Sequence, residues 1–184
     1  MGCLINTGKA HTCLAIKKQG GLKGRLWVLN LNNSTGLKLA YTEAGNTVQS
    51  GEAAYKVDSS KFSHDFTTSV KKPGANRFYG QAFNLRAITE DELDLVWSDS
   101  IVMADSLVFI IETMDKKFIV LGQNNGLDIQ EGDLGTSGQV AETDVTETYA
   151  FAGSESENKF KFVDVGTGYD DTLAYLISLE TPVA

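Results

Sequence analysis

The stretch Leu107–Ile129, LVFIIETMDKKFIVLGQNNGLDI, constrains the fold more than any other part of the sequence. It holds two apolar runs, Leu107–Ile111 and Phe118–Leu121, rich in β-branched and aromatic residues that suit a pleated surface. Each run is only about 4–6 residues long, which favours two strands over one helix. The polar segment Glu112–Lys117 between them is short enough for a tight connection. The stretch predicts a central antiparallel hairpin, a Gly/Asn turn over Gly122–Gly126, and a short third strand over Leu127–Ile129. It has the pattern of a scaffold and holds no reaction centre. The chain of 184 residues, 42% hydrophobic and 22% charged, is globular and long enough to bury a sizeable core. Only two prolines against 18 glycines fits turns made by Gly and Asn, as in all-β proteins.

The rest of the chain supplies further strands. Arg25–Leu31 (RLWVLNL) predicts a strand. The turn cluster Asn32–Gly36 follows, and Leu37–Tyr41 is expected to return as a hairpin partner. Thr42–Ser60 is polar and weakly patterned, so a long interaction loop is expected, with a strand near Ala54–Val57. Phe62–Val70 and Phe78–Ile88 predict a longer hairpin. Phe62, His64, Phe66, Thr68 and Val70 share one face of it, and Tyr79, Gln81, Phe83, Leu85 and Ala87 share one face of its partner.

Thr89 and Glu92 form a capping box. Leu93, Val96, Trp97, Ser100, Ile101 and Ala104 then fall at helical spacing. This predicts a helix over Glu90–Ala104 whose apolar stripe packs on a sheet. Thr146–Ala152 and Lys159–Asp164 read as two more strands, with Tyr149 and Phe151 on one face. Thr172–Leu179 alternates Leu173, Tyr175, Ile177 and Leu179 and favours a closing strand, while Ala174 and Leu176 leave a helix open. The expected architecture is mainly β: an antiparallel β-sandwich or barrel with one packed helix. Residues 1–24 form an N-terminal arm, and residues 25–184 form a single domain with its helix near 90–104.

Charge is unevenly placed on a chain of net charge −8. Residues 1–25 carry Lys9, Lys17, Lys18, Lys23 and Arg25 and no acid, whereas residues 112–171 carry 13 acids against four lysines. The acidic body argues against wrapping nucleic acid, whose phosphates need cationic partners. The basic arm reads either as a solvated segment or as one that docks on an acidic face of its own fold or a neighbour. The two cysteines, Cys3 and Cys13, fit reduced, packed thiols better than a disulfide that would brace little of the fold. No signal peptide is read at the N-terminus, and no apolar run reaches the ~18 residues of a membrane span. Met1-Gly2-Cys3 begins like an acylation signal, but Asn6 stands where Ser or Thr is required.

Chemistry is hard to find. The histidines are His11 and His64. His11 with Cys3 and Cys13 matches no zinc spacing, and His64 reads as a half-buried strand residue. No G-x-S-x-G elbow is present. Gly132–Gly138 (GDLGTSG) lacks the Gly-Lys-Ser/Thr ending of a phosphate loop. Asp164, Asp170 and Asp171 with Gly166 and Gly168 do not follow a calcium-loop pattern. The acids Glu90–Glu92 are accounted for by helix capping. The sequence therefore singles out no catalytic, cofactor-binding or metal-ligating residue, and the expectation is a protein that is not an enzyme.

Two stretches stand out as a pair. One is Gly2-Cys3, Thr7-Gly8, Cys13 and Gly20-Gly21-Leu22-Lys23. The other runs from Lys117-Phe118-Ile119-Val120-Leu121-Gly122 through Asn125-Gly126-Leu127 to Gly135-Thr136-Ser137-Gly138. Together they resemble a family of tailed-bacteriophage virion proteins found in phages of Bacteroidetes-type hosts, the building blocks of tail tubes and head–tail joining rings. The chain departs from that pattern at Asp144-Val145-Thr146 and Tyr149, where an Asp-Asn-Gly-Tyr-like step is usual. The resemblance implies a β-sandwich or barrel plus helix. It implies a homo-oligomeric ring, a hexamer or a multiple of six, next to other tail or portal-proximal proteins in the virion, with transient passage of DNA. An acidic lumen would repel DNA phosphates and let the genome slide. The competing expectation is a ligand- or carbohydrate-binding β-module in which Trp27, Trp97, Tyr41, Tyr55 and Tyr79 offer stacking surfaces.

Overall fold

The structure is a computed structural model. It describes residues 21–31, 40–42, 45–47, 54–58, 64–72, 76–88, 92–133, 146–155, 161–163 and 167–180. In chain order the strands are β1 (Leu22–Asn30), β2 (Ala40–Thr42), β3 (Gly45–Thr47), β4 (Tyr55–Asp58), β5 (Asp65–Lys71) and β6 (Phe78–Ile88). Helix α1 (Glu92–Val102) follows, then β7 (Leu107–Thr113), β8 (Phe118–Leu121), β9 (Asp128–Asp133), β10 (Thr146–Glu155), β11 (Lys161–Val163) and helix α2 (Tyr169–Ser178). They build a five-stranded sheet in the order β11-β8-β7-β1-β4, a four-stranded sheet in the order β5-β6-β10-β9, and the small hairpin β2-β3. The expected mainly-β sandwich is present, with two helices.

The central hairpin forms as predicted, with Phe109 opposite Leu121 and Ile111 opposite Ile119. Its two runs are apolar at every position because the sheet they build is covered on both faces. One set of alternating side chains, including Leu26, Val28, Phe109, Ile111 and Ile119, meets Phe83, Leu85, Tyr149 and Phe151 of the other sheet. Phe109 sits 4.8 Å from both Phe83 and Phe151, centroid to centroid. The other set, with Trp27, Leu29, Val108, Ile110 and Val120, packs under Leu176 of α2. The layers are thus helix, five-stranded sheet, four-stranded sheet. The β5–β6 hairpin also forms as predicted, and Gln81, Phe83, Leu85 and Ala87 are all buried on its inner face.

Several expectations are corrected. The closing element is helix α2, not a strand. Thr172 and Leu176 are buried and Leu173 packs beside them, a three-to-four spacing, whereas Ile177 of the alternating set is 48% exposed. Helix α1 exists, but its buried stripe is rotated. Trp97, Ser98, Ile101 and Val102 face the core or its margin, while Val96 is 67% exposed and Ser100 is exposed. Its predicted cap at Thr89 lies outside the described residues.

The hairpin expected over Arg25–Tyr41 is not made. β1 pairs with β4 and β7, and Ala40–Thr42 pairs with Gly45–Thr47. The stretch read as a long loop thus carries β3, and the strand expected near Ala54–Val57 forms as β4, an edge of the five-stranded sheet. The third strand expected after the Gly/Asn turn does form, but in the other sheet: Leu127 keeps a bridge to Leu107, and β9 runs on beside β10. The strands flanking Gly153–Asn158 also part company, β10 in the four-stranded sheet and β11 beside β8.

The Gly122–Gly126 turn is therefore the corner where the chain changes sheets. Its backbone is held from β6 and β10. The Gly122 N–H donates to Gln81 Oε1 at 2.8 Å. The N–H groups of Asn124 and Asn125 each donate to Glu155 Oε1 at 3.1 Å. Gly126 has φ +76°, and a Cβ there would stand 2.6 Å from Ser106 Cβ. A Cβ on Gly153 would stand 2.4 Å from the Gly126 carbonyl oxygen, so β10 meets the corner at bare backbone.

Candidate interaction face

Buried polar groups are the first place to look for chemistry. Among the described residues three carboxylates, Glu112, Glu147 and Glu155, are buried. Each is occupied by a structural task. Glu155 holds the corner. Glu112 on β7 accepts hydrogen bonds from Lys23 on β1 and from the Tyr169 hydroxyl at the start of α2. Tyr169 stacks on Phe118 at 5.4 Å, and the Lys23 and Lys116 ammonium groups lie 5.2 and 5.5 Å from its ring centroid. Burial pulls the Lys23 pKa down, but hydrogen bonds and charge from Glu112 and Tyr169 outweigh it and hold the pKa above the usual lysine value. The Tyr169 pKa is raised, first by burial and then by Glu112.

Glu147 accepts from the Tyr149 hydroxyl, which in turn takes a hydrogen bond from Ser98 of α1 at 2.6 Å. Burial, with Glu147 beside it, pushes the Tyr149 pKa well above the usual phenol value. Trp97 lies edge-on to the same ring at 6.1 Å. These contacts bind α1 to β10. The acid excess of residues 112–171 is in part a set of internal fastenings.

His64 lies one residue before β5 and is 5% exposed. Its Nδ1 accepts from the Arg86 N–H at 3.2 Å. Burial lowers its pKa to about 4, against the opposing pull of a backbone hydrogen bond at Gly24 and the Asp65 charge. It is a neutral link between β1 and the β5–β6 hairpin. His11, Cys3 and Cys13 lie outside the described residues, as do residues 134–138 of the glycine-rich stretch. Asp171 accepts from the Thr167 N–H and hydroxyl at 2.8 and 2.6 Å ahead of α2, which lowers its pKa, while Asp170 is exposed in the same first turn. Among the described residues no group of three His, Cys, Asp or Glu side chains is placed to hold a metal ion.

The feature that residue-by-residue inspection missed is a surface. The outer face of the five-stranded sheet is covered by α2, but among the described residues no element is packed on the outer face of the four-stranded sheet. Its two central strands present small residues outward: Gly80 and Ala82 on β6, and Ala150, Ala152 and Ser154 on β10. Longer side chains stand on the flanking strands and, at Asn84 and Arg86, on β6 itself. The result is a trough with two depressions. One, of about 580 Å³, is lined by Asp65, Asn84, Arg86, Glu131 and Thr148 among others. The other, of about 300 Å³, lies beside Thr67, Ser69, Lys71 and Gln130.

The pairing places Asp65, Asn84, Ala150 and Glu131 in one row across the sheet. One carboxylate therefore stands on each rim, with Asn84 Nδ2 donating to Asp65 at 2.9 Å. Part of the signal was in the sequence: of the positions alternating with the buried residues, Gly80 and Ala82 of β6 and Ala150, Ala152 and Ser154 of β10 are small, while Asn84, Arg86 and Thr148 are not. No family model, no curated protein and no solved structure matches the chain. Among the described residues no helix is long and apolar enough to cross a membrane.

Proposed function

We propose that the chain is a structural subunit of a tailed-phage virion. In this reading it assembles into a ring or tube of the tail or head–tail junction through which DNA passes, and it is not an enzyme. The observation that best supports this is the trough on the outer face of the four-stranded sheet, on which no described element packs, a surface suited to contact with a neighbour. The resemblance of the Gly122–Gly126 corner and the N-terminal glycine and cysteine pattern to such virion proteins points the same way. The carbohydrate-binding alternative draws less support. Trp27 is fully buried with its Nε1 on Glu180 at 2.9 Å, and the aromatic residue lining the larger depression, Tyr149, is itself buried.

Negative-stain microscopy of the purified protein at high concentration tests the reading. Rings or tubes, with sixfold symmetry or a multiple of it, are expected. A strict monomer, even when partner virion proteins are added, removes the proposal, and binding on a glycan array would put the alternative in its place.

A further inference from the structure

The trough has a counterpart elsewhere on the same chain. Val96, Asp99 and Met103 follow one another at three- and four-residue spacing along the outer side of α1, and all three are exposed. Met103, just past the helix end, continues the turn through its N–H to the Asp99 carbonyl at 3.1 Å. We propose that α1 of a second copy seats in the trough. Its Val96 enters the larger depression, its Met103 enters the smaller one, and its Asp99 and Asp105 lie towards Lys71. The contact rests on the ring proposed above, because it names the surfaces by which neighbouring subunits join.

Shape selects a helix as the occupant. The rims β5 and β9 stand three strand spacings apart, about 14 Å, and a helix with its side chains is about 10–12 Å across. From Asp65 to Lys71 the trough runs about 20 Å, against about 16 Å for the 11 residues of α1. Val96 and Met103 lie about 10 Å apart along the helix. The two depressions lie beside Asn84 and Gly80, about 13 Å apart along β6. Two troughs laid face to face would leave both depressions as voids and forfeit contacts.

Charge selects the direction. One end of the trough carries Asp65 and Glu131, and Arg86 beside them offsets one of the two charges. The other end is basic. Lys71 lies back over the floor, its Cε 3.1 Å from where a Cβ on Gly80 would stand, and Lys72 and Arg77 are exposed near it. At its C-terminal end α1 has the negative pole of its dipole, no basic residue in the last turn, and the exposed carboxylates of Asp99 and Asp105. Laid with that end towards Lys71, the helix sets these charges against cations, and its positive pole faces Asp65 and Glu131. Arg86 then stands at the end that receives the first turn, whose sequence carries Glu92 and Asp94. The opposite direction would put Asp99 and Asp105 beside the two rim carboxylates. Each copy uses α1 once and its trough once, so the contact is heterologous, the kind that closes into rings.

Sedimentation velocity on two complementary variants of the full chain tests it. Asp99→Lys with Met103→Lys spoils the helix face and leaves the trough. Ala82→Trp fills the trough and leaves the helix, and Ala152→Trp is a second trough variant should the first fail to unfold cooperatively in urea. Wild type is expected to assemble. Each variant alone is expected to sediment as a monomer, its association weakened roughly tenfold or more. An equal mixture of the two is expected to form one-to-one pairs and nothing larger, because one intact helix then meets one intact trough. Wild type that stays monomeric, with or without partner virion proteins, removes the ring and this contact together. Wild type that assembles while a folded trough variant assembles equally well overturns this contact alone, and so does a mixture that forms no pairs.

Discussion

At the scale of single residues, the corner and the buried histidine carry the sharpest expectations. Gly126 combines a positive φ with a Cβ position that would stand 2.6 Å from Ser106 and 3.1 Å from Leu31. A β-branched residue there suffers both backbone strain and overpacking, each costing about 1–3 kcal/mol. Gly126→Val is expected to lower unfolding stability by roughly 3 kcal/mol in urea titration, summing those two costs; wild-type stability would mean that the corner relaxes freely. His64 gives a pH signature. Its folded pKa, about 4, lies below the ordinary imidazole value of 6.5, so the unfolded chain binds the proton first. The contribution is complete above pH 6.5, declines as pH falls, and is gone below about 4. Linkage puts the loss between pH 7 and 5 at about 2 kcal/mol. His64→Asn keeps an acceptor for the Arg86 N–H and does not titrate. It should lose about 2 kcal/mol less than wild type over that range, and parallel slopes in urea denaturation would exclude the role.

At the scale of elements, strands were legible where burial imposed a period and misleading where two periods overlapped. The continuous apolar runs of β7 and β8 marked the central hairpin, and the alternation in β6 marked one face, of which Gln81, Phe83, Leu85 and Ala87 are buried and Tyr79 half-buried. Thr172–Leu179 satisfies both a two-residue and a helical period. The choice fell to tertiary contacts: Leu176 is fully buried beneath the sheet's outer face and Tyr169 is fastened at Glu112. Pairing was less legible than strand existence, because nothing local tells β1 to pair with β4 and β7 rather than with the segment that follows it. The fastening of α2 is testable through Tyr169→Phe. The stack on Phe118 survives, while Glu112 loses one donor and stays buried beside Lys23 alone. A destabilisation of about 1–2 kcal/mol is expected. Thermal unfolding unchanged from wild type would show that Lys23 alone satisfies the carboxylate.

At the scale of the whole molecule, the trough was invisible to a search for reactive residues because it is made of what is small, and two strands that form it are separated by more than fifty positions in sequence. Helix α1 shows the complementary case. The sequence grouped Val96 and Ser100 with the buried stripe, yet the helix turns them outward, and Val96 is 67% exposed with Met103 just past the helix end at 83%. Seven residues apart, they lie on one side of the helical turn. Large apolar side chains left outward contribute little to the monomer, so replacing them should change its stability by no more than about 0.5 kcal/mol. If copies assemble into rings through such surfaces, charge placed there has to be desolvated at the contact and should oppose association. The double substitution Val96→Glu and Met103→Glu is therefore expected to leave urea unfolding of the monomer unchanged while shifting sedimentation velocity profiles from rings towards monomer. Rings that persist unaltered in the double variant would place the subunit contact elsewhere and leave the outward turn of Val96 without an assembly role.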